Sequence, residues 1–195
     1  MTASAIFTTA VFRFGHSMVR TNLLKLGPGP VSSADMELLP VRDVFFKPEL
    51  VRDNGVDPFL RGGAHQLCKE KDCKVFNEHR NFMATEMKEN VADPPRFDLV
   101  ALNLQRGRDM GLPSFNDVRE LFGLPRYESF SEFIKDPNLA DLAEDIYGDV
   151  DVVDTFFGGV VEKHVPGSQL GETFNTMVTE QFVRFRYVGS TIYGS

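Results

Sequence analysis

The stretch Asn103-Leu104-Gln105-Arg106-Gly107-Arg108-Asp109-Met110-Gly111-Leu112-Pro113-Ser114-Phe115-Asn116 decides how this chain is read. Helix formers fill its first half, and Gly111 with Pro113 closes it. The pattern predicts a helix from about Pro94 to Met110 with Gly111 at C′. Ser114-Phe115-Asn116-Asp117 then has the form of a capping box and opens a short helix that Gly123 ends. Asn103 and Arg106 stand three residues apart and share one face of the first helix. Taken alone, they are a helix asparagine and an exposed arginine.

A second stretch mirrors this arrangement far upstream, in Val11-Phe12-Arg13-Phe14-Gly15-His16-Ser17-Met18-Val19. Arg13 precedes His16 by one turn, so both project to the same side. Ile6, Phe7, Ala10, Val11, Phe14 and Met18 recur at spacings of three and four, which predicts one helix from Thr2 to about Leu26. Gly27-Pro28-Gly29-Pro30 would end it. A neutral imidazole in an apolar helix suits an iron ligand, although a lone histidine there is more often a hydrogen-bonded core residue. Gly15 removes a side chain beside it and leaves room for a flat ring. The guanidinium of Arg13 has the fork geometry that pairs with carboxylates, or it forms an ordinary surface ion pair.

Working outward, residues 31–57 read as extended or irregular, with Pro40, Pro48 and Asp53-Asn54-Gly55 as turn signals. A helix is predicted from Asp57-Pro58, with aspartate as N-cap and proline at N1. Residues 68–93 are polar and charged, as in a surface loop and helix edge. Ser129-Phe130-Ser131-Glu132 repeats the capping signal. Further helices are predicted over Asn138–Tyr147, with Gly148 after it, and over roughly Gly171–Val188. Few stretches alternate as strands do. The chain reads as mainly α and as one continuous piece of a domain, without internal repeats or linkers.

Hydrophobic residues make up 42% of the 195, charged residues 25%, and the 18 Phe stand against no Trp. That is globular composition, with phenylalanine available for helix packing or an apolar pocket. A net charge of −7 and a pI near 5.1 argue against a nucleic-acid binder and against an anionic membrane surface. No apolar run is long enough to span a bilayer. The segment from Met1 to Phe12 lacks the basic region and cleavage site of a signal peptide.

Other constellations carry less. His65, Cys68, Cys73 and His79 form a zinc set by residue type, with spacing that departs from the usual arms. A small Cys68–Cys73 disulfide loop or two thiols are the alternatives, depending on compartment. Asp145 to Asp154 is acidic but lacks the spacing and terminal glutamate of an EF-hand, so it reads as a solvated connection. There is no nucleophile elbow, P-loop or dinucleotide fingerprint.

The ordered run from Asn103 to Asn116 closely resembles the animal haem peroxidases. The likeness extends to Gly55-Val56-Asp57-Pro58-Phe59-Leu60-Arg61-Gly62, to Arg119-Glu120-Leu121-Phe122-Gly123-Leu124-Pro125, to Phe156-Phe157-Gly158-Gly159-Val160-Val161-Glu162 and to Glu180-Gln181-Phe182. The resemblance implies a helical fold and a b-type haem, covalently linked in some relatives. It assigns His16 as the proximal axial ligand of the haem iron and Asn103 as its hydrogen-bond partner; by residue chemistry the asparagine carbonyl oxygen would be the neutral acceptor for the ring N–H. Arg13 and Arg106 fall where the family contacts haem propionates. It implies oxidation of a halide, phenol or tyrosine by hydrogen peroxide, and a secreted or extracellular location.

Two departures stand out. Met110 occupies a position where relatives usually have histidine, beside the helix end. In the family the distal histidine, the distal arginine, the acidic residues of covalent haem links and the calcium loop all precede the proximal helix. Only fifteen residues precede His16 here and none matches. The expectation is therefore the C-terminal part of such a domain over 1–195, the proximal half without the distal half. It would need a partner chain or the N-terminal half to cover its apolar surface. The alternative expectation is a non-catalytic, peroxidase-like interaction module.

Overall fold

The computed structural model describes residues 3–44, 47–73 and 98–193, with side chains through residue 187. In chain order the elements are α1 (Ala5–Thr9), a 3₁₀ helix (Val11–Ser17), β1 (Asn22–Leu26), β2 (Met36–Pro40), α2 (Glu49–Asn54), α3 (Asp57–His65), α4 (Leu99–Asp109), α5 (Phe115–Leu121), α6 (Phe130–Phe133), α7 (Pro137–Tyr147), α8 (Thr155–Val161) and α9 (Glu172–Tyr193). Short 3₁₀ turns lie at Ser33–Asp35, Val41–Asp43 and Val150–Val152. The fold is mainly α, as expected. The described elements fall into two compact units, one of residues 3–17, 71–73 and 99–193, the other of residues 18–44, 47–70 and 98.

The second unit corrects the sequence reading. The predicted helix to Leu26 does not continue past Ser17. Asn22–Leu26 is a strand, paired antiparallel with Met36–Pro40 so that Leu24 faces Leu38 and Leu26 faces Met36. The hydrophobic period changes from 3.6 to 2 at this point: Leu24 and Leu26 are buried, and Lys25 between them pairs across the strands with Glu37. Gly27-Pro28-Gly29-Pro30 starts the hairpin loop, with Gly29 at φ +101°, and ends no helix.

Helix α3 lies against β1. A Cβ on Gly62 would sit 1.7 Å from the Leu24 carbonyl oxygen, so only glycine permits this approach. Gln66 locks the contact, accepting from the Leu24 N–H and donating to the Asn22 carbonyl. The predicted N-cap Asp57 is instead the first helical residue, following Val56.

In the first unit the signals at Ser114, Gly111 and Gly148 act as the sequence places them, while Ser129 precedes α6 without a side-chain cap bond. Ser114 Oγ accepts from the Asp117 N–H and starts α5. Helix α4 closes in a Schellman motif: Gly111, at φ +62°, donates to the Arg108 carbonyl, and Leu112 donates to the Gly107 carbonyl. Asp136 caps α7, and Gly148, at φ +72°, follows it. Among the described residues no helix is long and apolar enough to cross a membrane.

Two apolar clusters form the core of this unit, and α8 contributes to both. Phe156 and Val160 join Phe7, Ala10, Val11, Val118, Leu170, Phe174 and Met177. Phe157 and Val161, on the other face, pack against the cluster of Phe115, Phe130, Phe133, Ile134 and Val153. Gly158 and Gly159 let two rings close on the helix. A Cβ on Gly158 would lie 2.3 Å from the Phe115 ring, and one on Gly159 would lie 2.0 Å from the Phe174 ring.

A buried polar hub ties α5, α8 and α9 together. Arg119 donates to Glu162 Oε1 (2.8 Å), to Thr173 Oγ1 (2.8 Å), to Glu172 Oε2 (2.9 Å) and to the Pro125 carbonyl (2.7 Å). Its guanidinium lies 3.8 Å from the centre of the Tyr127 ring, whose hydroxyl also donates to Glu162. Burial pushes the Glu162 carboxyl up, while hydrogen bonds from Thr173 and Tyr127 and the charge of Arg119 pull it down. Lys71 donates from its buried Nζ to the Gly159 carbonyl (2.8 Å) and completes the end of α8. Desolvation lowers its pKa to about 8.

Three measurements test this account. Arg119→Met leaves Glu162 buried without its counter-charge and is expected to cost about 3–5 kcal/mol in guanidinium unfolding. Gly159→Ala is expected to cost about 1–3 kcal/mol or more through overpacking. Gly107→Ala meets only ordinary contact, with Leu112 Cδ1 3.8 Å away, and serves as the stabilising control. For Lys71 the sign follows from its lowered folded pKa. Between about 8 and the ordinary 10.5 the unfolded chain holds a proton that the folded chain has lost. The stability of the wild type relative to Lys71→Met should therefore rise with pH across that window and be flat below it.

Candidate functional site

The 3₁₀ helix Val11–Ser17 carries two of the four residues singled out from the sequence, and α4 carries the other two. Seven residues is long for a 3₁₀ helix, and with three residues per turn the side chains at i and i+3 eclipse. Arg13 and His16 thus stand directly in line. Val11 behind them is fully buried in the Phe7–Phe174 cluster, and Phe14 packs against it, which fixes the side that Arg13 and His16 present.

Asn103, on α4, meets both. Its side-chain amide is fully buried, with 0% exposure. Arg13 Nη1 donates to Asn103 Oδ1 at 3.1 Å. Asn103 Nδ2 lies 2.9 Å from His16 Nδ1. The amide therefore runs opposite to the sequence expectation, which had its carbonyl oxygen facing the histidine. The reason is that a guanidinium only donates, so it claims the one acceptor that the amide has.

Electrostatics keep His16 neutral. Burial lowers its pKa, the Arg13 charge lowers it further, and the Asn103 hydrogen bond opposes both. Beside the ring, a Cβ on Gly15 would meet nothing within 4 Å. Arg13 Nε is buried and has no hydrogen-bond partner among the described residues. The site thus combines a neutral imidazole, an open space next to it and an incompletely satisfied guanidinium.

The remaining candidates fall elsewhere. Arg106 is exposed one turn along α4 and bonds to none of the three. Met110 is exposed beside the helix end. Arg108, for which the sequence gives no signal, forms a two-pronged pair with Asp154, at 2.7 Å for the closer contact, and Tyr147 donates to the same carboxylate. In the acidic stretch, Asp151 accepts from Asn116 and Arg126, and Asp149 caps the Asp151 N–H, so these carboxylates serve protein donors. Cys68 is exposed and Cys73 half-buried, no disulfide joins them, and His79 lies outside the described residues. Among the described residues no cluster of three or more His, Cys, Asp or Glu is placed to hold a metal ion.

Comparison with known proteins assigns the family. Residues 1–188 match the family profile described as animal haem peroxidase. The chain is 35% identical to mouse thyroid peroxidase over 189 residues, covering 95% of this chain and 20% of that protein. It is 36% identical to the human peroxidasin homolog over 186 residues, covering 92% of this chain and 12% of that protein. The solved structure of peroxidase A from Dictyostelium discoideum superposes with a TM-score of 0.78 at 32% identity, covering 93% of this chain and 34% of that one. The chain thus spans about a fifth or less of the length of these two curated relatives. With the helical fold and the site in hand, these likenesses show that the chain belongs to the animal haem peroxidase family.

Proposed function

We propose that this chain supplies the proximal side of the haem site in a peroxidase, where His16 would hold the iron. The observation that carries the reading is the hydrogen-bonded line Arg13–Asn103–His16, in which a neutral, half-buried imidazole stands beside open space at Gly15. The residues fit haem by their chemistry. Imidazole is a common proximal ligand. A ligating histidine donates its other N–H to an acceptor, and the Asn103 amide is the group within reach of Nδ1, its oxygen turned to Arg13 in the free chain. Arg13 has a buried donor to spare for a propionate, and exposed Arg106 is the second candidate for that role.

When bound, haem supplies the oxidation of a donor by hydrogen peroxide; we assign the donor to the class of halides, phenols or tyrosines. The chain's own residues bind and orient. His16, whose pKa is lowered by burial and by the Arg13 charge, would hold the iron through a neutral ring nitrogen. Asn103 fixes the plane of the imidazole ring. The apolar packing of Val11 and Phe14 keeps water from the back of the ligand helix. The proton-moving histidine and the charge-stabilising arginine of the distal side are, in this reading, supplied from outside these 195 residues, as are any calcium loop and covalent haem links. We place the intact protein outside the cell.

Haem titration followed at the Soret band tests the reading. One haem per chain is expected. Asn103→Ala should weaken binding by about 10- to 100-fold, the usual size of a loss behind a metal ligand. His16→Ala should change the spectrum of the complex outright. Peroxide turnover of the isolated chain should stay close to that of free haem. Absence of binding in the wild type would leave the peroxidase-like interaction module as the reading.

A further inference from the structure

We infer that Arg13 is a latch on the tautomer of His16, acting through the side-chain amide of Asn103. The amide is buried with no exposure, so its direction is set by its two partners and not by water. Arg13 Nη1, a donor, faces Oδ1 at 3.1 Å. The other end of the amide, Nδ2, is then also a donor, and it faces His16 Nδ1 at 2.9 Å. A donor opposite Nδ1 requires Nδ1 to accept. In a neutral imidazole the single proton must then sit on Nε2, the nitrogen that faces away from Asn103.

That tautomer is the wrong one for a ligand. Iron needs a lone pair on Nε2, and the partner behind a ligating histidine normally accepts the Nδ1–H. This step rests on the proposed role of His16; the tautomer itself does not. To free Nε2, the Asn103 amide must turn end for end so that Oδ1 accepts from Nδ1. The turn would set Nδ2 against Arg13 Nη1, donor against donor, and so it requires Arg13 to leave. A carboxylate on the incoming ring gives Arg13 a better acceptor than an amide oxygen. Among the described residues its Nε is buried without a partner, and the bond to Asn103 is the one that Arg13 gives up in moving. Binding of the acidic edge of the ring and availability of the axial nitrogen are thereby coupled through one amide. The net proton count does not change: the proton leaves Nε2 and one returns to Nδ1 by way of solvent.

The test begins without haem. The chain is labelled with ¹⁵N-histidine and read by long-range ¹H–¹⁵N correlation at a pH where the ring is neutral, with His16 identified by its loss in His16→Ala. The wild type should show the Nε2–H form. Arg13→Leu should shift the population toward Nδ1–H. Asn103→Asp, which offers an acceptor to both partners at once, should make Nδ1–H dominant with Arg13 intact; it carries the test if Arg13→Leu fails to fold. A wild type already in the Nδ1–H form, or folded variants with an unchanged tautomer, would overturn the latch.

Haem and its dimethyl ester supply the second readout. The ester lacks the carboxylates that release Arg13, so wild-type affinity should fall by about tenfold or more, as for loss of a supporting contact at a metal site. Arg13→Leu should bind the ester more tightly than the wild type does. A plain ion-pair role for Arg13 predicts equal affinity of the two proteins for the ester, and that result would also overturn the latch. The two readings fail separately. Tautomers that respond as described in a chain that never binds haem would sink the haem site and keep the latch. Haem bound through His16 with tautomers indifferent to Arg13 would do the reverse.

Discussion

The buried Arg119–Glu162 pair is the constraint on which the first unit is organised. Each side chain is about 1% exposed, so neither charge can be left without the other. The net attraction of such a pair is small once desolvation is subtracted, and its strength as a device lies in specificity. Arg119 comes from α5, Glu162 from the end of α8, and Thr173 and Glu172 from the start of α9. Any slip of one helix along another would strand a charge. Because Glu162 ends α8, the pair also sets the position of Gly158 and Gly159, against which the rings of Phe115 and Phe174 close. Helix α8 in turn packs on the 3₁₀ helix that bears Arg13 and His16. The polar hub thus reaches Arg13 and His16 through one closely packed helix.

The site itself shows how little polar machinery is needed when the surroundings are dry. A single amide serves two partners of opposite demand, and its burial turns a freely rotating group into a two-position one. In water the same three side chains would exchange partners with solvent, and the direction of the amide would carry no information. Here every change at one end must be answered at the other.

Much of this was legible in the residues. Ser114, Gly111 and Gly148 act locally, through caps and positive φ, and their effects do not depend on distant contacts. Arg13, His16 and Asn103 were visible as spacings within two segments. That they would converge could be stated only by resemblance, because a one-dimensional pattern holds no distance between residues 13 and 103. The strand at Asn22–Leu26 was missed because a five-residue switch of period is easily absorbed into the helical pattern before it. Gly62 was visible within a motif, yet its reason lies in the Leu24 carbonyl from another element. The direction of the Asn103 amide is hidden from the sequence for a related cause: it is decided by a third residue, Arg13, and not by the His16–Asn103 pair alone.

The 3₁₀ form of Val11–Ser17 makes the screw pitch of this short segment a chemical variable. At three residues per turn, Arg13 and His16 point along one line and can share an acceptor-and-donor group between them. At the α-helical 3.6 residues per turn, the same two side chains would diverge by about 60° around the axis. Overwinding therefore brings the pair into register, and relaxing to the commoner helix would take one of them off Asn103. The segment acts as a gear whose tooth spacing matches a single amide. Its covalent sequence could be left untouched while a change of winding alone disengaged Arg13 from His16.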